Sequence, residues 1–399
     1  MSKSNMFFRI TLNYDTLAAE IVSKLSEKYF ISKTDTFLDP ALGGGQLLKA
    51  LARRLNKHGH SIENIRSRLF GYEDSIAYLN HPINKSTAMI AQLSVVEYGK
   101  TTMKNNNFDV VLGNYPFGDA KDSGGTLWGP FANNTFENLV KKSGTVAVIH
   151  PPSFIGKHTN ESTGKSDYSC FSKNQIHQLH IFDTCEKDKY FKGVGTKACW
   201  YIAEACEPYT DTTIVGYDNG TKTEFNVDFN KQTFLPSVIN DLSISIHQKI
   251  VKLKGMDFNQ TRKLHYYSMK KRNQVSDTRT KEYEFKSHFS HQITRYSNYK
   301  MKDYDSIKVM VPQTSTLSKS FIDSKCNVSE DLFYINCVSN KDAEIKLNYL
   351  TSNFVKYIGK NYRPGRNLGA LLQSSIIPNT IDMSIFSKKE IDYIEANAK

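Results

Sequence analysis

Across residues 13–25 the apolar positions fall at 17, 18, 21, 22 and 25, a helical period with Asp15 placed as its N-cap. A short apolar run at 36–38 reads as a buried strand and ends in Asp39-Pro40-Ala41-Leu42-Gly43-Gly44-Gly45, after which 46–55 returns to helical spacing. Further apolar runs at 68–72, 108–112, 145–150, 177–182 and 198–203 read as strands. Strands separated by helical stretches predict an α/β domain built on a largely parallel sheet. Beyond about residue 205 the texture changes. Residues 212–229 alternate as a polar hairpin around Asn219-Gly220. Leu347, Leu350, Phe354 and Ile358 predict one amphipathic helix over 341–360. The pattern predicts two domains, 1–210 and 211–399, with no internal repeat.

The loop at 39–45 follows a strand and opens a helix. Its glycines allow positive φ and close backbone approach to a ligand. Such a loop lies at the ligand crevice of a doubly wound sheet. It is not a phosphate-binding loop, because no Gly-Lys-Ser/Thr follows, and it lacks Gly-x-Gly-x-x-Gly. About thirty residues on, Leu69-Phe70-Gly71-Tyr72-Glu73-Asp74 is a strand ending in acids. An acid there can accept hydrogen bonds from both hydroxyls of a ribose, and Glu73 is the candidate; Asp74 could equally cap the next helix. Loop and acid together point to an adenosine-containing ligand without choosing between a dinucleotide and S-adenosylmethionine.

The segment 108–118 is a strand running into Asn114-Tyr115-Pro116-Phe117. It resembles the catalytic Asn/Asp-Pro-Pro-Tyr/Phe motif of amino-methyltransferases, with the Asp-Pro-x-x-Gly-x-Gly cofactor loop upstream. The motif order is similar to that of the γ class of adenine-N6 DNA methyltransferases, over about residues 10–205. This resemblance implies a Rossmann-like class I methyltransferase sheet carrying the catalytic site, followed by a mixed α+β target recognition domain. It implies S-adenosylmethionine as cofactor, S-adenosylhomocysteine as product, and contacts from Asp39, Pro40, Ala41, Gly43 and Gly45 in the loop. Glu73 and Asp74, Asn114, and the N-terminal pair Asn13 and Tyr14 complete that set, with Phe131 packed on the cofactor adenine. The acid usual near the third strand is displaced; Glu97 is the nearest.

An adenine amino nitrogen is a poor nucleophile, because its lone pair is delocalised into the ring. Fixed oxygens that accept hydrogen bonds from its two N–H groups aim that lone pair at the methyl donor, which is catalysis by positioning and electrostatics. The resemblance assigns one acceptor to the Asn114 side-chain carbonyl and the other to the main-chain carbonyl of residue 115. Tyr115 stands where the motif has its first proline, so the loop loses a φ restraint there. Phe117 would stack on the target base, with Phe191 opposite and Tyr190 as a competitor for that place. Asn114, Tyr115, Pro116 and Phe117 thus form the expected catalytic loop.

Charge adds a substrate. The chain carries 52 Lys+Arg against 40 Asp+Glu, a net +12. Residues 251–300 hold an excess of 8 positive charges and 351–370 a further 4, interleaved with aromatics. Cations neutralise phosphates and aromatics stack on bases, so this half is the expected double-stranded DNA grip. Lys270, Lys271, Arg272 and Arg295, with Arg363 and Arg366, are the candidate contacts. The target base must be swung out of the duplex before its amine is reachable.

The six cysteines form no Cys-x-x-Cys pair and show no zinc-like spacing with histidine, so no metal is expected. No apolar run approaches the ~20 residues of a membrane span and no secretory segment is visible, so a cytoplasmic location is expected. A cognate restriction endonuclease is an expected partner; no Asp…Glu-x-Lys nuclease core is recognisable in the chain, and nothing fixes an oligomeric state. Alternatives that keep the fold are RNA bases, cytosine N4 or a protein glutamine as acceptor. Another is a catalytically inactive DNA-binding specificity protein.

Overall fold

The computed structural model describes residues 14–74, 76–95, 108–116, 128–155, 171, 173–195, 197–228, 235–236, 238–261, 264–313, 316–362, 368, 371–372 and 375–398. They fall into two compact units, 1–154 with 159–232, and 233–399 with 155–158.

The first unit opens with helix Tyr14–Ser23, whose buried face is Tyr14, Leu17, Ala18, Ile21 and Val22, the predicted stripe. Its strands are β1 (Phe37–Asp39), β2 (Leu69–Glu73), β3 (Gln92–Val95), β4 (Phe108–Asn114), β5 (Val140–His150), β6 (Gln175–Ile181), β7 (Cys199–Glu204), β8 (Thr212–Asp218) and β9 (Thr221–Val227). They form one sheet in the order β3-β2-β1-β4-β5-β7-β6-β8-β9. Pairing is parallel from β3 through β5, and β7 runs antiparallel between β5 and β6. From β3 to β6 that order, with β7 alone reversed, is the one expected of a class I methyltransferase sheet, and the Rossmann-like expectation holds; β8 and β9 extend it, β9 antiparallel to β8. The chain crosses from one side of β1 to the other between β3 and β4. The crevice of such a sheet therefore lies at the carboxyl ends of β1 and β4, at Asp39 and Asn114.

The hairpin β8–β9 corrects the expected boundary at 210/211. β8 pairs in parallel with β6, so the hairpin extends the first sheet and the division falls at 232/233. Tyr217 anchors it: the hydroxyl meets His180 Nδ1 at 2.9 Å, and the ring packs on Phe182 at 5.4 Å between centroids.

In the second unit β10 (Val275–Ser276), β11 (Phe285–His288), β12 (Thr294–Ser297) and β15 (Asn327–Val328) form one small sheet. β13 (Ile307–Pro312), β14 (Phe321–Asp323) and β16 (Leu332–Cys337) form another, backed by helices. The mixed α+β expectation holds here. The single helix expected at 341–360 is instead two, Asn340–Leu350 and Asn353–Asn361. Ser352 starts the second by accepting the Val355 N–H at its hydroxyl, a cap that ends one helix and opens the next. Among the described residues no helix is long and apolar enough to cross a membrane.

Candidate active site

The glycine loop is shaped by its own hydrogen bonds. Asp39 Oδ1 accepts the Ala41 N–H at 3.1 Å, and Leu42 N–H donates to the Tyr72 carbonyl at 2.9 Å, tying the loop to β2. Gly43 and Gly45 have φ of 52° and 69°. A Cβ on Gly45 would lie 2.5 Å from Thr87 Oγ1, so glycine is required there twice over, by conformation and by space. Thr87 belongs to helix Pro82–Ile90, from which Asn84 Nδ2 also donates to the Gly43 carbonyl at 3.1 Å. The sequence reading missed this backing helix, because two polar residues three apart carry no distinctive signal.

Glu73, at the end of β2, is buried and reaches the same loop. Its Oε2 accepts the Gly43 N–H at 3.1 Å and its Oε1 the Asp74 N–H at 3.0 Å. Burial pushes its carboxyl up to about 8, with Asp74 adding to the rise. Burial likewise holds the Asp39 carboxyl up at about 7, against the Ala41 N–H that lowers it. Two strongly perturbed carboxyls on a loop open to close approach suit a ligand that brings an ammonium and hydroxyls. S-adenosylmethionine has both, and these residues fit it. Pro40 is buried, Ala41 half-buried and Asp74 exposed.

Asn114 ends β4 beside this loop. At Gly113 a Cβ would stand 3.0 Å from the Tyr115 ring and 3.4 Å from Asp39 Oδ1, so glycine here lets the strand ends crowd together. The Asn114 side chain lies close enough to the Tyr14 hydroxyl to offset part of the rise that burial gives its pKa. Its Oδ1 is buried and has no hydrogen-bond partner among the described residues.

Tyr115 does not face a ligand. It is 1% exposed, its N–H donates to the Ile149 carbonyl at 3.0 Å, and its hydroxyl bonds Thr135 Oγ1. Thr135 Oγ1 donates in turn to the Phe131 carbonyl at 2.9 Å. The tyrosine ring stacks nearly parallel to His150, which also stacks on Trp128 at 4.7 Å. Burial lowers His150 to about 4, leaving it neutral in this aromatic layer. The φ restraint lost with proline is thus replaced by hydrogen bonds at both ends of the residue, neither of which proline can make. Pro116 is half-buried, and Phe117 lies outside the described residues.

Tyr14 is the first residue of its helix, with its ring edge-on to Phe191 at 5.8 Å. Asp39 lies near enough to add to the rise that burial gives the Tyr14 hydroxyl pKa. Asp39, Asn114, Tyr14 and Phe191 are therefore gathered around the ends of β1 and β4. Phe131 packs on the Tyr115 ring at 5.3 Å. Asn13 and Glu97 lie outside the described residues.

In the second unit Lys270 and Lys271 end helix Tyr266–Lys271, Arg272 follows it, and all three are exposed. Arg295, on β12, is already paired with Asp277 and donates to the Thr294 carbonyl at 2.8 Å. Arg363 and Arg366 lie outside the described residues. One group of metal-ligating types that the sequence spacing did not reveal does come together: His288, Asp323 and Cys326, with ligand atoms within 4.8 Å of one another. Asp323 Oδ2 is shared there by His288 Nε2, at 2.7 Å, and the Lys286 ammonium, so the group is an ion-pair network with a cation already on its carboxylate.

No family model matches the chain. A curated relative, the type II restriction enzyme and methyltransferase RM.BcgI of Heyndrickxia coagulans, is 25% identical over 211 residues, 50% of this chain and 32% of its own. The chain thus spans about a third of the length of that relative. Among solved structures, the type IIL restriction-modification enzyme MmeI in complex with DNA aligns with a TM-score of 0.43 at 13% identity, over 91% of this chain and 66% of its own. A nuclease-deletion mutant of the type ISP restriction-modification enzyme LlaGI, with a DNA substrate mimic, gives 0.45 at 11% identity, over 84% and 49%. A type I restriction-modification methyltransferase subunit from Streptococcus thermophilus gives 0.36 at 16%, over 61% and 52%.

Proposed function

We propose that this chain is an S-adenosylmethionine-dependent DNA methyltransferase, acting at the N6 amino group of an adenine swung out of a specific duplex site. The observation that carries the reading is the buried Asn114 Oδ1, an acceptor without a partner among the described residues, at the strand end beside the glycine loop. A buried acceptor left unmade is costly, and such groups mark sites completed by a ligand. The similarity to RM.BcgI supports a restriction-modification setting and a DNA substrate.

Bound at the loop, the cofactor supplies an electrophilic sulfonium methyl. Asp39 would hold its ammonium and Glu73 its ribose hydroxyls. Asn114 Oδ1 accepts one N–H of the target amine and the main-chain carbonyl of Tyr115 the other, which orients the nitrogen lone pair. Phe117 and Phe191 stack on the base, and Phe131 lies toward the cofactor adenine. Exposed cations of the second unit, Lys270, Lys271 and Arg272 among them, hold the phosphates, with Arg295, Arg363 and Arg366 as further contacts.

The test is transfer of labelled methyl from S-adenosylmethionine to unmethylated DNA, followed by digestion to nucleosides. Label in N6-methyldeoxyadenosine is the expected result, and Asn114→Ala removes it while sparing cofactor binding more than Glu73→Ala does. Label in N4-methyldeoxycytidine or only in RNA would redirect the substrate assignment. DNA binding without any transfer would leave a specificity protein in place of an enzyme.

A further inference from the structure

A main-chain carbonyl has no rotamers; because the peptide unit is planar, its direction follows from the φ and ψ of its own residue. The carbonyl read as the second acceptor of the target amine belongs to Tyr115, where the usual proline would fix φ by its ring. Here the residue is pinned from outside. Upstream, its N–H donates to the Ile149 carbonyl at 3.0 Å. Downstream, Pro116 disfavours the helical region for the residue before it. Sideways, its hydroxyl meets Thr135 Oγ1. Thr135 has a single hydroxyl proton and gives it to the Phe131 carbonyl at 2.9 Å, so the tyrosine is the donor between them. Thr135 is fully buried and opens the π-helical segment Thr135–Leu139, directly after the helix Trp128–Asn134 that carries Phe131. Such segments recur at functional sites.

We propose that Thr135 is a positioning residue: by anchoring the Tyr115 hydroxyl it sets the direction of the Tyr115 carbonyl toward the target amine, a task the usual proline performs with its ring. The inference rests on the reading of that carbonyl as an amine acceptor. The Thr135 hydroxyl also holds the main chain of Phe131, whose ring packs 5.3 Å from the Tyr115 ring and is placed toward the cofactor adenine. One buried hydroxyl therefore ties the amine acceptor to the wall of the cofactor site.

Thr135→Val keeps the branched shape and removes the hydroxyl. With cofactor and DNA saturating, kcat falls by about threefold to tenfold, the effect of one hydrogen bond of ordinary strength. Thr135→Ser, which keeps the hydroxyl, stays near the unaltered rate. A second substitution separates positioning from stability. Thr135→Val strands the Tyr115 hydroxyl in the core and lowers the Tm; adding Tyr115→Phe removes the stranded group and raises the Tm again. The kcat does not recover with it, because the anchor is still missing. An unchanged kcat in Thr135→Val, or a kcat that returns with the Tm in the double variant, overturns the proposal. A separate readout needs no turnover. Residues 115 and 116 form the only Tyr-Pro pair in the sequence, so 13C in tyrosine carbonyls with 15N in proline singles out the Tyr115 carbonyl. Its signal shifts in Thr135→Val and keeps its place in Thr135→Ser. A signal unmoved in Thr135→Val overturns the positioning role even in a protein that methylates nothing. Absence of methyl transfer by the unaltered chain strikes instead at the methyltransferase reading.

Discussion

Asp39 illustrates how a site residue sets itself against stability. Its folded carboxyl stands near 7, against about 3.9 in an unfolded chain, so between those values the folded state holds the proton and the unfolded state does not. Stability then falls as pH rises from about 4 to 7, by on the order of a few kcal/mol for a group this buried. Asp39→Asn keeps an acceptor for the Ala41 N–H and removes the ionisation. Calorimetry is expected to show this variant melting above the unaltered chain at pH 8, the gap nearly closing at pH 4, while cofactor binding weakens. A gap that does not depend on pH would count against the assignment. The positions of Asp39 and Asn114 at strand ends were legible in the sequence because each ends an apolar run beside a glycine or proline, and that of Glu73 because it ends the next apolar run about thirty residues on. The contacts of Thr87 and Thr135 were not, since each meets a residue that only the tertiary fold brings near.

At the scale of elements, the turn after β4 at Tyr115 is held by what lies beneath it. Tyr115 binds β5 through its N–H and helical segment 135–139 through its hydroxyl, with its ring in the aromatic layer of His150 and Trp128. Tyr115→Pro would restore the residue usual in the motif it resembles. It would also delete the bond to Ile149 and a fully buried ring, at a cost of about 3–5 kcal/mol for an aromatic core truncation. Thermal unfolding is expected to drop steeply, and turnover to fall with it. Tyr115→Phe, losing only the bond to Thr135, should cost about 1 kcal/mol. A stable, active proline variant would show that the loop does not depend on these contacts. The strands flanking the crevice were readable as apolar runs. β3 was not, being short and largely exposed, and the break at Thr351-Ser352 was hidden because the helical spacing of apolar residues continues across it.

For the molecule as a whole, the sequence located the charge and the change of texture but misassigned the hairpin, since a strand pair shows its own alternation and not the neighbour it joins. That neighbour matters. β8 lies along β6 from Gln178 to Ile181, and the outermost strand is β9, whose side chains are largely exposed and include the Lys222–Glu224 ion pair. Charged residues on an outer strand discourage another chain from adding to it. A fragment ending at 210 would strip β6 of its outer partner and bare the buried run Leu179–Ile181, an edge ready to recruit strands from other copies. A fragment ending at 232 keeps the charged border. Light scattering on the two is expected to find the shorter one aggregated and the longer one dispersed, so the polar hairpin that looked like the start of a DNA-binding domain is what keeps the catalytic sheet from growing.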